Sequence, residues 1–167
     1  MPNENRPIDH LLKTLGESIG LDSLHFDDND GCLLQFDDTI TLLLLYDAPQ
    51  DDVYLFSFVQ EIPADHREKV LIRLLEANYR WQETAGATLS LNPGSESVVL
   101  TRQVSANGLD LPQLEKLIGD FVDNVEKWSR YLDNPAQGVL SSPERSQESP
   151  VSNGKRDNGK DMPMIRA

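Results

Sequence analysis

The chain has 167 residues, with 15 basic and 28 acidic side chains and a net charge of −13. That length suits one ordinary domain with a core of its own, and the acidity argues against binding a phosphate backbone, which needs clustered Lys and Arg. No apolar run approaches the ~18 residues of a membrane span, MPNENRPIDHLL lacks the pattern of a secretory signal, and the single cysteine, Cys32, fits a reducing cytoplasm.

The first helix is expected over residues 8–19, with Pro7 in its first turn and Ile8, Leu11, Leu12, Leu15 and Ile19 recurring at helical spacing. Gly16 weakens it locally, and Gly20 is a natural stop. The polar turn Asp27-Asp28-Asn29-Asp30-Gly31 follows; as a calcium loop it would place Phe26 and Asp37 at ligand positions, so a solvated turn fits better.

Three short apolar runs come next: Cys32–Phe36, Thr39–Tyr46 and Val53–Val59, separated by Asp37-Asp38 and by the Asp47–Asp52 cluster. Each is of strand length, and together they predict an antiparallel meander. In the middle run Ile40, Leu42, Leu44 and Tyr46 share one face, while Thr39, Thr41, Leu43 and Leu45 share the other. Both faces are apolar at its centre, so a helix, a second subunit or a bound partner must cover the second one.

Pro63-Ala64-Asp65 opens a second helix running to Tyr79 or Arg80, and Asp65 with Glu68 has the form of a capping box. Its apolar residues Val70, Leu71, Leu74, Leu75 and Ala77 are joined by Ile72 and Tyr79, a stripe wide enough to pack against two things or to sink into one core. Two half-solvated strands, Ala87–Leu91 and Ser97–Val104, flank the turn Asn92-Pro93-Gly94-Ser95. The last helix spans Leu111–Leu132, with Asp110 as cap, Pro112 in the first turn and a long apolar stripe from Leu114 to Trp128. The whole is an α+β fold, an antiparallel twisted sheet with helices packed on it in the order α-β-β-β-α-β-β-α. Residues 1–133 form the domain. Residues 134–167, rich in Pro, Ser, Gly and Asn, are expected to be a disordered polar tail, with Met162-Pro163-Met164-Ile165 either a docking motif or an uncommitted end.

Catalytic chemistry finds few candidates. His10, His25 and His66 have no metal-ligand spacing, Cys32 opens an apolar strand, and phosphate-loop, dinucleotide and nucleophile-elbow motifs are missing from the sequence. Asp47, Asp51 and Asp52 fit a solvated hairpin turn better than a cation site. The expectation is a protein that is not an enzyme and needs no metal or cofactor.

The order of elements, the acidity, Leu11-Leu12-x-x-Leu15-Gly16 in the first helix, Leu74-Leu75-Glu76-Ala77-Asn78 in the middle helix and Trp128 in the last resemble the class I chaperones of type III secretion, the Tir chaperone family, over roughly Ile8 to Leu132. That resemblance implies a cytoplasmic bacterial homodimer whose partner is the amino-terminal segment of one or a few secreted effector proteins, held extended for export, with components of the secretion apparatus as further partners. It implies no nucleic acid and no membrane insertion. A partner segment could pair with a strand edge and place apolar side chains in a groove between first helix and sheet, lined by Leu11, Leu12, Leu15, Ile19, Leu33, Leu43, Leu45, Phe56 and Phe58. The dimer contact carries over to Ile72, Leu75 and Tyr79. The alternative is a general interaction or small-ligand module, hollow between sheet and helix. A hydrolase or metalloenzyme would instead need His25 or His66 beside two Asp residues in a cleft.

Overall fold

A computed structural model describes residues 6–21 and 24–137. Helix α1 spans Pro7–Ile19 and leads to the meander of β1 (Gly31–Phe36), β2 (Ile40–Asp47) and β3 (Asp52–Glu61). Helix α2 (Arg67–Asn78), strands β4 (Thr88–Leu91) and β5 (Ser97–Ser105), and helix α3 (Leu111–Asp133) complete the domain. The five strands form one antiparallel sheet in the order β1-β2-β3-β5-β4.

Local chemistry sets each boundary. Arg6, just ahead of Pro7, binds the Asp9 carboxylate through its backbone N–H at 3.1 Å and its guanidinium at 2.8 Å, and it also reaches Asp30. This ties the start of α1 to the loop before β1. At its other end Gly20 takes the left-handed conformation (φ 78°), and the following N–H of Leu21 donates to Gly16 O at 2.8 Å. The β1–β2 turn holds Asp37 and Asp38 with φ of 48° and 57°, a backbone that short polar side chains tolerate and that matches strand twist.

Helix α3 begins as its sequence suggests: the Asp110 carboxylate accepts from Gln113 N at 2.8 Å, and the Gln113 side chain accepts from Asp110 N at 3.1 Å. The start of α2 differs. One 3₁₀ turn, Ala64–His66, precedes it, so His66 becomes the cap residue and no side chain caps the helix. Asp65 is thereby drawn inside the turn, and its carboxylate meets His66 Nδ1 at 3.0 Å instead of closing a box with Glu68.

The core lies on one side of the sheet. Leu34, Ile40, Leu42, Leu44, Leu55, Val98 and Leu100 face α1 and α3, where Leu12, Leu15, Leu114, Phe121, Val125 and Trp128 meet them. Side chains fill this interface; Leu42, Leu55 and Trp128 are wholly buried. It is therefore packed, unlike the hollow expected of a module holding a small apolar ligand between sheet and helix. Order continues past the expected boundary at residue 133 into a 3₁₀ turn, Pro135–Gln137, where Pro135 is buried. The expectations for residues 138–167 lie outside the described residues.

Candidate functional site

Strand alternation sends the other half of the sheet's side chains outward. Paired registers align Leu33 with Leu43, Leu43 with Phe56, Phe56 with Thr101 and Thr101 with Thr88, and the neighbouring row aligns Leu45, Tyr54 and Gln103. On this outer face Leu33 is 65% exposed, Phe58 54% and Leu45 38%, while Leu43, Tyr54 and Phe56 are half-buried. The Phe56 and Phe58 rings meet edge to face at 5.2 Å. The face is apolar across β1, β2 and β3 and continues onto β5 at Val99, which pairs with Phe58 and is 5% exposed, while Thr101, Gln103, Thr88 and Ser90 make the rest of β5 and β4 polar.

The nine residues expected to line one groove are thus divided. Leu12 and Leu15, 1% and 2% exposed, belong to the core on the inner side, and Leu11 is half-buried beside them. Leu33, Leu43, Leu45, Phe56 and Phe58 point to the opposite side. Helix α1 packs on the face that carries Leu34 and Leu42, and a period of two turns their sequence neighbours away from it. Ile19 stands apart at the end of α1, 48% exposed and next to Leu21 at 46%.

A second apolar surface lies on α2, which packs against β4. Val70, Leu74 and Ala77 point inward, whereas Ile72, Leu75 and Tyr79 form a separate outward stripe, 52%, 72% and 76% exposed. The widened stripe is two stripes. Trp81, 53% exposed, extends it and was not singled out from the sequence. Arg80 and Trp81 both have positive φ, 61° and 53°, which swings the indole back so that its N–H donates to Thr88 Oγ1 at 3.2 Å. An aromatic side chain in the polar run Arg80-Trp81-Gln82 was the available signal. Beside the stripe, an open cleft of about 410 Å³ lies between α2 and the end of α3, bordered by Ile72, Glu76, Tyr131 and Pro135.

The sheet has two edges with different backbones. At β4 the Asn78 carboxamide donates from Nδ2 to Leu89 O at 2.8 Å and accepts Leu89 N at 2.9 Å through Oδ1. At β1 the outward groups of Gly31 are taken by Asp27, whose carboxylate accepts Gly31 N at 2.8 Å and whose N–H donates to Gly31 O at 2.7 Å. By the same alternation Leu33 and Gln35 direct their N–H and C=O groups to the open edge.

Among the described residues, titratable groups show no convergence on a reacting centre. Burial pushes the Cys32 thiol up to about 11, which keeps it protonated. His66 meets the exposed Asp65, whose carboxyl is held below its ordinary range first by that imidazole. Of the acidic hairpin, Asp51 accepts the Tyr46 hydroxyl at 2.9 Å and Asp52 accepts Gln103 Nε2 at 2.5 Å, side-chain bonds that brace the turn. Among the described residues no three His, Cys, Asp or Glu side chains gather as metal ligands, and no helix is long and apolar enough to cross a membrane.

Similarity to known proteins follows the same elements. The Tir chaperone of Escherichia coli O157:H7 is 27% identical over 129 residues, covering 77% of this chain and 80% of that protein. Among solved structures, a chain of the ExsC–ExsE complex superposes with a TM-score of 0.68 at 24% identity, covering 79% of this chain and 97% of that one. The Yersinia pestis type III secretion chaperone SycH, solved with a stable fragment of YscM2, superposes at 0.57 with 15% identity, covering 71% and 97%. The model of the Tir chaperone protein (CesT) family matches residues 10–129, from α1 through the meander, α2 and the β4–β5 hairpin into the Trp128 turn of α3, and this chain belongs to that family.

Proposed function

We propose that this chain is a type III secretion chaperone, acting without catalysis in the bacterial cytoplasm, that holds the amino-terminal segment of a secreted effector extended and soluble for export. The observation that carries the reading is the outer sheet face, where Leu33, Leu45 and Phe58 remain exposed around the half-buried Leu43 and Phe56. An extended segment can pair with the open backbone of Leu33 and Gln35 and lay alternate apolar side chains across β1, β2 and β3. Of the groove residues expected from the sequence, this assigns Leu33, Leu43, Leu45, Phe56 and Phe58 to the partner and leaves out Leu11, which packs against the inner core, and Ile19, at the end of α1. Leu12 and Leu15 support it from the core.

A second copy covers Ile72, Leu75 and Tyr79 on α2, making the protein a homodimer. The net charge of −13 adds long-range attraction for a basic effector segment or for the export machinery, and this part weakens with salt.

Co-purification from the native host, followed by proteolytic mapping of the bound partner, tests the reading. A secreted protein bound through its amino-terminal segment is expected, and Leu33→Asp with Phe58→Asp should release it while the circular dichroism spectrum stays unchanged. Recovery of no secreted protein, or binding that maps to a folded carboxy-terminal domain, would refute it.

A further inference from the structure

An antiparallel sheet with five strands has two edges, and either can accept an added strand unless its backbone is occupied. In this domain the occupied edge is β4. It is only four residues long, Thr88–Leu91, and alternation leaves two of its residues, Leu89 and Leu91, with backbone groups turned away from β5. Asn78 takes both groups of the first of these. Its carboxamide is bonded as an added strand would be, offering one donor and one acceptor to Leu89 at 2.8 and 2.9 Å.

The chain just before β4 is closed as well: Ala87 N donates to Thr84 O at 2.9 Å. With both groups of Leu89 and the N–H of Ala87 engaged, Leu91 alone keeps a donor and an acceptor together among the described residues of this edge, and a single such residue gives an incoming strand no ladder. At the β1 edge Asp27 serves only Gly31, at the start of the strand, and among the described residues no side chain bonds the outward groups of Leu33 and Gln35.

We infer that Asn78 decides at which edge of the sheet a partner strand is added: its carboxamide occupies the β4 edge as a built-in substitute for a strand and leaves β1 as the receptive edge. The position suits the task. Asn78 is the last residue of α2, so the helix whose Val70, Leu74 and Ala77 are buried in the core fixes the amide in place beside β4. An alanine there would keep the helix and remove both bonds. The inference rests on the proposal that the partner is an extended segment, and it deepens that reading by naming what selects the edge.

The test uses the full chain and a synthetic peptide of the β5 sequence, SVVLTRQVS, the natural neighbour of β4, as a general strand donor. Residue-resolved amide exchange reports which edge it joins. In the native chain the peptide should slow exchange at Leu33 and Gln35 and leave Leu89 and Leu91 unaffected. In Asn78→Ala the Leu89 amide alone should exchange roughly tenfold faster or more, as loss of its one acceptor demands. Adding the peptide should then slow exchange at Leu89 and Leu91 and raise the stoichiometry from one to two per protomer.

The inference is overturned if the peptide protects Leu89 and Leu91 in the native chain, a measurement that stands whether or not the variant folds. It is also overturned if Asn78→Ala folds, loses protection at Leu89 and still takes peptide only at β1. A peptide that joins neither edge in the native chain but joins β4 in the variant supports the role of Asn78 and refutes strand addition at β1, so the two proposals fail separately.

Discussion

Leu33 and Leu34 are adjacent on β1, yet the first is 65% exposed and the second 4%, so their truncations should separate binding from stability. Leu34→Ala removes side-chain atoms from the core cluster and should cost about 2–5 kcal/mol of folding free energy. Leu33→Ala should change it by no more than about 0.5 kcal/mol, as surface substitutions usually do. Full burial of a leucine stabilises by about 1.5–3 kcal/mol, and with roughly two-thirds of Leu33 still in water, about 1–2 kcal/mol remains for a partner to realise. Losing that contribution weakens partner binding by a factor of about 5–30. Urea denaturation followed by circular dichroism gives the first quantity, and isothermal titration with the purified effector segment gives the second. If Leu33→Ala is as destabilising as Leu34→Ala, β1 is one residue out of register and the faces are exchanged. If it folds normally and binds with unchanged affinity, the partner does not lie on the outer face.

Other substitutions probe separate parts of the fold. At Gly16 an added Cβ would sit 2.8 Å from Leu21 O and 2.8 Å from Leu24 Cβ. Gly16→Ala should therefore lower the urea midpoint, because an overpacking cost of about 1–3 kcal/mol exceeds the ~1 kcal/mol gained in helix propensity; an unchanged or raised midpoint would mean that the chain after α1 yields freely. Leu75, 72% exposed on α2, should be dispensable for folding but not for self-association, so Leu75→Asp should shift the mass by light scattering from twice 18.8 kDa to 18.8 kDa with little change in melting temperature. The Asp27 carboxyl is held below its ordinary range by the N–H groups of Gly31 and Asn29, so its contribution to stability is present above the unfolded-state pKa and lost as pH falls through the folded one. Melting temperatures of the native chain and Asp27→Asn should accordingly converge as pH drops below the usual carboxylate range, and a difference constant with pH would contradict this.

The meander was legible because its chemistry is local. Three runs of strand length, Asp37-Asp38 and the Asp47–Asp52 cluster fix three strands and two turns, and a period of two assigns Leu42 and Leu44 to one face and Leu43 and Leu45 to the other before any packing is known. Helix α3 was equally plain, because Asp110, Pro112 and a long apolar stripe agree. The face that receives α1 was not legible: the amphipathic stripe of a helix says that it packs, without saying on which side of a distant sheet. That is why Leu12 and Leu33 looked like members of one groove. The pairing of β3 with β5, across the whole of α2 and β4, is likewise long-range. Asp65 misled because a 3₁₀ turn shifts the cap by one residue, and Asn78, visible as the end of the family-like phrase Leu74-Leu75-Glu76-Ala77-Asn78, did not show what it bonds because its partner, Leu89 of β4, is defined only after folding.

The distribution of apolar residues on the outer face limits what can cover it. Were the whole sheet built to receive a folded domain or a second sheet, all five strands would be apolar there. Instead the row that begins Leu33, Leu43, Phe56 ends in Thr101 and Thr88. Along this row the apolar part is three strands wide, Val99 carrying it onto β5 only beside Phe58, and with strands ~4.8 Å apart its outer backbones are separated by only about 10 Å. That width matches one α-helix, about 10–12 Å across, or two extended segments side by side, and is narrow for a globular partner. The α2 stripe lies at the other margin of the sheet, beyond β4, so a second copy bound there leaves β1 and its neighbours uncovered in both protomers. A dimer of this kind presents two narrow apolar tracks at its far ends, a geometry that an unfolded segment can follow from one protomer to the other and that a folded domain cannot.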